Sequence, residues 1–465
     1  MNAYCTMPSG TAMASHAAMG IPEGIKPLWV DHPDLEAMGR RGFRRFRAVF
    51  QREPEGIWMS PGRANLNGEH IDFLGGRCLP MALPYGTLVA AAPRSDGLLR
   101  MRTLEPSLDS GIVEVPVDSI GPSSPTGWPG YVAGALWALK IAAEQHPELA
   151  IPRGFGADLL IRSTLPVGGG LSSSAALECA AILAFVGLST GRTDLDDATR
   201  AVLAHACMLA EVEVVGAATG GLDQTASLRS RPGHVLSLDC RDFSIAHHPV
   251  DPLLAGHRLV GVDTSTPHWL GGDDFSSRRK DAEAAARFLG ADRLRDLLPD
   301  EPTSADGEAL LQRWDRAAPS ASQLDGRDPE AARRRLTHAV TEMLRSERID
   351  QLLRHGGAPS GNDSTAAADV GRILSEGHVS MRDNAQASFP AADLIVNTAE
   401  HAGAAGARLI GGGFGGSVLM LLPVNKVAAV VAAIDQSVLT VGLPRPRFLC
   451  IEPSAPGGQL CRDCD

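Results

Sequence analysis

Apolar residues recur along the chain at helical spacing in some stretches and in short unbroken or alternating runs in others. Over Asp34–Phe50, Leu35, Met38, Phe43 and Phe46 fall roughly on one side and arginines on the other, which predicts a half-buried helix. Trp128–Gln145, Asp281–Leu289, Arg333–Leu353, Ala391–Ala404 and Val424–Ile434 read as further helices, and Thr193–Val215 as a helix pair. Ala175–Leu188 is helical but apolar all round, so it predicts a buried helix. Gly56–Met59, the runs within Gly86–Val115, Ala157–Ser163, His257–Asp263, Arg408–Ile410 and Ser417–Pro423 read as strands. Residues 300–330 and His355–Thr365 read as polar loops, and the polar, proline-containing stretch 239–251 as a lobe boundary. No internal repeat is evident. The pattern is mixed α and β in two lobes.

Composition narrows the class. A chain of 465 residues with 44% hydrophobic and 21% charged residues is globular, not fibrous or largely disordered. A net charge of −11 gives no general basic face of the kind that releases counterions from nucleic acid. The lysines are Lys26, Lys140, Lys280 and Lys426, and none follows a glycine-rich loop, so a Walker-type phosphate lysine is excluded. Eight cysteines are too sparse for a disulfide scaffold, and the Cys461/Cys464 pair in the tail, with no second pair near it, is a weak metal signal. Residues 1–27 are Ala/Ser/Met/Gly-rich and lack the basic and apolar regions of a secretory signal, so they read as a disordered extension. No run of apolar residues is long enough to span a membrane. The expectation is a reduced, soluble, cytoplasmic protein with neither nucleic-acid nor membrane partner, for which a monomer is compatible with the sequence.

Three loops carry candidate chemistry. Pro166–Ala175 holds Gly168, Gly169 and Gly170, then Leu171, Ser172, Ser173 and Ser174, between a strand and an apolar helix. Glycines let backbone N–H groups approach an anion, the helix start adds its positive dipole end, and a serine hydroxyl suits a magnesium ion. This is a phosphate cradle without a lysine. In Pro61–Gly76, Arg63, Asn65, Glu69, His70 and Asp72 crowd together. Carboxylates beside imidazole and amide groups suit a ligand with several hydroxyls, and arginine suits a developing phosphoryl charge. The competing reading is a polar surface loop. Gly411–Gly416 satisfies G-x-G-x-x-G, but a strand-like run follows where a dinucleotide fingerprint needs a helix. Close backbone packing against the other two loops explains it better. Gly220-Gly221-Leu222-Asp223-Gln224, read alone, is a turn.

Together these segments resemble the galactokinase family of the GHMP kinase superfamily. Pro61–Gly76 matches the family's first motif, Pro166–Ala175 its second, Gly411–Gly416 its third, and Gly220–Gln224 its shorter G-x-x-D-Q element, in the family's order. The resemblance covers about residues 28–457. It implies an α+β fold of two lobes, the N-terminal one (28–245) like ribosomal protein S5 domain 2 and the C-terminal one (246–457) ferredoxin-like, with residues 458–465 as a tail. It implies transfer of the ATP γ-phosphate to the anomeric hydroxyl of galactose or a galactose-like sugar, with Mg²⁺. By motif position, Asp223 and Arg63 fall on the catalytic pair, and Ser174 and Glu211 on the metal ligands. Glu69, His70, Asp72 and Gly220 fall on the sugar pocket, Gly168–Ser174 on the phosphate site and Trp128 near the adenine pocket. Asp223 serves either as general base or as an orienting group.

The departures sit on the sugar side. Phe275 stands where the family has a sugar-contacting tyrosine, and Phe73 also replaces a tyrosine. Asn67 replaces an aliphatic residue, Ile410 a threonine and Ala385 a tyrosine. The expectation that follows is a galacto-configured sugar that is modified or larger than galactose. A sugar and ATP sensor without catalysis is the alternative from another class, although Arg63, Asp223, Ser174 and Ala175 are all retained. A mevalonate- or homoserine-kinase branch is a poorer match to so many hydroxyl partners. Arg278, Arg279 and Lys280 read as a solvated helix face, and His338 as a packed or exposed residue without a catalytic part.

Overall fold

The computed structural model describes residues 26–166, 168–217, 219–266, 273–355 and 365–461. The strands are β1 (Leu28–Trp29), β2 (Gly56–Asn65), β3 (Arg77–Cys78), β4 (Pro80–Arg94), β5 (Leu98–Thr103), β6 (Val113–Pro116), β7 (Gly156–Ser163), β8 (His234–Asp239), β9 (Ser244–Pro249), β10 (His257–Asp263), β11 (Gly406–Ile410), β12 (Ser417–Pro423), β13 (Arg447–Ile451) and β14 (Gly458–Cys461). The helices are α1 (Leu35–Phe50), α2 (Trp128–Ala143), α3 (Ser173–Thr190), α4 (Asp197–Ala210), α5 (Leu222–Arg229), α6 (Asp251–Leu254), α7 (Asp273–Phe288), α8 (Ser304–Ala317), α9 (Pro329–Arg354), α10 (Ala366–Asp383), α11 (Pro390–His401) and α12 (Val427–Thr440).

Two main sheets organise the molecule. The N-terminal lobe is built on a six-stranded sheet ordered β14-β2-β4-β7-β5-β6. Helix α1 covers one face, where Phe46 and Phe50 meet Ile57, Leu88 and Leu160. The all-apolar α3 and its neighbours α2 and α4 cover the other, where Leu136, Phe185 and Leu203 meet Val89, Leu99 and Leu159. The C-terminal lobe has a five-stranded sheet ordered β1-β13-β10-β12-β11. Helices α11 and α12 pack on one face through Ile395 and Ile434. A second apolar cluster joins Leu66 and Leu171 of the first lobe to Leu259, Ile373 and Leu419 of the second. It fixes the lobes against each other beneath the glycine loops.

The division between lobes is not strictly sequential. The start of the chain supplies β1 to the C-terminal sheet, where it pairs in parallel with β13. The segment Gly458–Cys461, expected as loose tail, pairs antiparallel with β2 and closes the edge of the N-terminal sheet. Residues 239–251, read as a boundary, contain all of β9, which with β8 and β3 forms a third sheet. Residues 300–330 are not a plain loop: α8 starts there with a reciprocal cap between Thr303 and Asp306. The predicted second helix after α4 is instead a π turn, Glu211–Val215, continuing it. Most of the expected loop His355–Thr365, Cys464 and residues 1–25 lie outside the described residues.

Among the described residues one helix, Ser173–Thr190, is long and apolar enough to cross a membrane, and it is α3, mostly buried between the N-terminal sheet and its neighbouring helices. Cys78, Cys179, Cys207 and Cys240 are free and buried. Cys450 and Cys461 are disulfide-bonded, so the expectation of a wholly reduced chain does not hold for them.

Candidate active site

Arg63 and Asn65 stand on a strand, not in a loop. β2 runs on through Pro61 and Gly62 to Asn65, with a break in its pairing to β4 between Pro61 and Arg63. Such a break re-aims side chains, and Arg63 points out of the sheet into the space between the three loops. Its Nε donates to Asp223 Oδ1 at 2.8 Å and its Nη1 to the Gly170 carbonyl at 2.7 Å. Asp223 sits in the first turn of α5, and its other oxygen accepts from Ser172 Oγ at 2.5 Å. Ser172 reaches it from a left-handed backbone at φ 58°, as the cap residue of α3. Strand, phosphate loop and α5 therefore converge on one carboxylate.

The glycine loops make this convergence possible. Ser417 Oγ donates to the Gly169 carbonyl at 2.6 Å, and a Cβ on Gly411 would lie 2.7 Å from the Gly170 oxygen. Gly411–Gly416 thus packs its backbone against the phosphate loop, as its sequence context predicts, and no helix follows it.

Beside Arg63 and Asp223 opens a cleft of about 210 Å³, lined by Glu69, His70, Asp72, Phe275, Thr219 and Gly412 among others. Gly220 lies directly beneath Asp72: a Cβ there would sit 2.2 Å from Asp72 Oδ2. Burial and the nearby Asp223 carboxylate raise the Asp72 pKa to about 6. His70 is held neutral by burial, its pKa lowered to about 4. Its Nε2 lies 3.0 Å from the Gly412 carbonyl, which can only accept, so Nε2 carries the proton. Nδ1 is left as an acceptor. Glu69 is buried, which pushes its pKa up, while the fully buried Arg408 offsets this through Nη2 at 2.9 Å from Oε2. Phe275 turns its ring to the edge of His70, centroids 5.0 Å apart, and lies 6.1 Å from Phe73. That wall is apolar.

The family models bear on this arrangement. The galactokinase galactose-binding signature matches residues 44–93, the GHMP kinases N terminal domain matches 130–231 and the GHMP kinases C terminal matches 364–438. The galactokinase of Streptomyces coelicolor is 39% identical over 426 residues, covering 91% of this chain and 99% of that protein. The chain belongs to the galactokinase family. The galactokinase of Mycobacterium tuberculosis is 36% identical over 87% of this chain and 98% of its own length. Among solved structures, Lactococcus lactis galactokinase complexed with galactose superposes with a TM-score of 0.74 at 26% identity, covering 92% of this chain and all of that one. The two-lobed α+β fold is that of the GHMP kinases, and the chain is a sugar kinase. The sensor alternative gains no support, because these relatives are named as kinases and the Arg63–Asp223 pair is assembled.

At the far side of the phosphate loop, Ser174 hydrogen-bonds Glu211, the first residue of the π turn. Burial and the Asp223 charge raise the Glu211 pKa to about 7. Trp128 does not line the cleft; it starts α2 and packs against the N-terminal core. Arg278 and Arg279 are not merely solvated. Arg278 stacks over Phe414 at 5.6 Å, and Arg279 over Phe73 at 5.1 Å while bonding the Thr219 carbonyl.

Sequence reasoning missed Arg408 and Glu178, and it named Gln224 in the Gly220–Gln224 element without giving it a role. Gln224 Nε2 donates to Glu211 Oε2 at 2.6 Å and to Glu178 Oε2 at 3.2 Å, so one amide joins two buried carboxyls. The available signal was a single charge within an otherwise apolar element, Arg408 in β11 and Glu178 in α3. Such a charge is kept inside only when partnered.

Proposed function

We propose that this chain transfers the γ-phosphoryl group of ATP to the anomeric hydroxyl of galactose or a galactose-like sugar. The sugar O–H bond and the bond to the leaving ADP break, a C1–O–P linkage forms, and one proton is released. The observation that carries this reading is Arg63, which joins the glycine–serine loop at Gly170 to Asp223 at the mouth of a cleft lined by Glu69, His70 and Asp72.

Phosphoryl transfer has a loose transition state, so positioning and charge neutralisation do most of the work. Arg63 supplies a fixed positive charge at the junction. Asp223, held by Arg63 and Ser172, orients the attacking hydroxyl and is the acceptor at hand for its proton. Glu69, Asp72 and neutral His70 offer acceptors to sugar hydroxyls. Gly168–Ser174 and the start of α3 receive the β- and γ-phosphates.

A divalent cation fits Ser174 and Glu211. Both offer oxygen, the hard donor that Mg²⁺ prefers, and both lie beside the phosphate loop. Bound there, Mg²⁺ would neutralise phosphate charge and favour the ionised form of Glu211. Trp128 is assigned to the adenine side. Ser123 N–H bonds the Glu213 carbonyl at 3.0 Å, which ties the segment before α2 to the turn that carries Glu211.

The sugar is read as galacto-configured, with Phe275 and Phe73 favouring modification or extension on their side. ADP release measured over a sugar panel tests both parts. Failure to release ADP with any sugar of the panel would defeat the kinase reading. Highest kcat/KM with free galactose would defeat the modified-sugar part alone.

A further inference from the structure

Residues 67, 68 and 69 of the sugar loop are each held by a different residue of α9. Asn67 Nδ2 donates to Ser346 Oγ at 2.8 Å, Gly68 N–H to Glu342 Oε1 at 3.1 Å, and the Glu69 carbonyl lies 3.0 Å from His338 Nε2. Positions 338, 342 and 346 are spaced by four and share one helical face. The loop therefore runs antiparallel along α9, one anchor per turn.

The chemistry at each anchor is determined. A carbonyl only accepts, so His338 Nε2 carries a proton and its Nδ1, 3.0 Å from Ser380 Oγ, accepts from that hydroxyl. From the opposite side Arg408 bonds Asn67 Oδ1 and pairs with both Glu69 and Glu342. Arg345 occupies the other oxygen of Glu342 at 2.9 Å. All of the loop's partners named here come from the C-terminal lobe, and Ser346, Glu342 and Arg408 are completely buried. Asn67, a departure on the sugar side, is thereby accounted for: its amide is matched on both sides.

We propose that His338, Glu342 and Ser346 are positioning residues for sugar recognition. They act through the loop by fixing where Glu69 and His70 stand, and they touch neither sugar nor nucleotide. The proposal rests on the reading of the cleft as the sugar site.

Ser346→Ala is the cleanest test, because alanine suits a helix interior and only the Asn67 anchor is lost. The expected result is a rise of about three- to tenfold in KM for the sugar, equivalent to about 0.7–1.4 kcal/mol. KM for ATP and kcat stay within about twofold, and Ser346→Thr, which keeps the hydroxyl, restores the wild-type KM. Parallel changes in both KM values, or no change in either, overturn the proposal. Hydrogen–deuterium exchange of the peptide spanning residues 67–70 separates this outcome from failure of the sugar-site reading. If no sugar makes the wild-type chain release ADP, the reading of the site fails, yet faster exchange in Ser346→Ala still supports the anchor and unchanged exchange overturns it.

Discussion

Arg63 Nε and Asp223 Oδ1 stand 2.8 Å apart across 160 positions of sequence. The pair is bound on one side to the Gly170 carbonyl and on the other to Ser172 Oγ. Both flanking contacts belong to the glycine–serine loop, so on the proposed reading the carboxylate that faces the sugar is positioned by the nucleotide side. Asp223→Asn keeps the shape and removes the proton acceptor. A fall in kcat of about 10²–10⁴-fold is expected, the usual worth of a general base, with Tm little changed. ADP release at saturating sugar and ATP measures it. Activity within a few-fold of wild type would leave Asp223 without a catalytic role.

Gly220 and Gly411 predict opposite kinetic signatures. A Cβ at Gly220 meets Asp72 Oδ2 at 2.2 Å, whereas one at Gly411 meets the Gly170 oxygen at 2.7 Å. Gly220→Ala is expected to raise KM for the sugar, and Gly411→Ala to raise KM for ATP, each by about tenfold or more if the neighbour must move. Steady-state kinetics with each substrate varied in turn distinguishes them. Identical patterns in the two variants would mean that the cleft and the phosphate loop are not separate subsites.

If Asp72 binds the sugar as proposed, it gives that binding a pH dependence. Burial and the Asp223 charge raise its pKa to about 6, so its carboxylate is lost as pH falls through that value. His70, lowered to about 4, stays neutral over the same range and adds no step. Calorimetric sugar affinity without nucleotide should weaken below about pH 6. In Asp223→Asn the midpoint should move to lower pH, because the like charge is gone. A midpoint unmoved by that substitution would assign the step to another group.

Much of the candidate site was legible in the chain because its loops are local. Glycine and serine loops announce themselves by spacing, and the buried character of α3 by its lack of a polar face. What was not legible depends on long-range pairing. Pro61 and Gly62 do not read as strand, yet β4 pairs with Pro61 and again from Arg63 to Asn65, and so carries Arg63 and Asn65 on a strand. Gly458–Cys461 has little strand signal of its own and is ordered by the open edge of β2. α10 was not predicted, although Thr365 caps its first turn by accepting from Ala368 N–H. Arg408 becomes intelligible only once residues 67–69, Glu342 and β11 meet, which no spacing in the sequence encodes.

Glu178 predicts a stability effect that is separate from activity. Burial first, and then the neighbouring Glu211, push its pKa well above the ordinary carboxylate range. The folded chain therefore keeps a proton that the unfolded chain loses once pH exceeds about 4.5. Wild-type stability from this group falls as pH rises through that window. Glu178→Gln has no proton to lose, and its amide oxygen can still accept from Gln224. Its Tm advantage over wild type should grow between pH 5 and pH 8. A gap that stays constant with pH would mean that Glu178 is ionised in the folded protein.

Phe275 offers the test of sugar choice. Its ring closes the cleft edge-on to His70 and supplies no hydrogen-bonding group, so a hydroxyl of the sugar on that side loses a partner when it leaves water. A sugar whose hydroxyl is absent or substituted there loses nothing. Phe275→Tyr adds a hydroxyl at the position where the resemblance places a family tyrosine. One neutral hydrogen bond is worth about 0.5–1.5 kcal/mol, so kcat/KM for galactose should rise by about two- to tenfold. The same substitution should leave unchanged, or lower, the value for a sugar modified on that side. The ratio of the two kcat/KM values, compared between wild type and variant, is the measurement. A ratio that does not move would mean that Phe275 takes no part in discriminating between sugars, and the apolar wall would then serve only to orient His70.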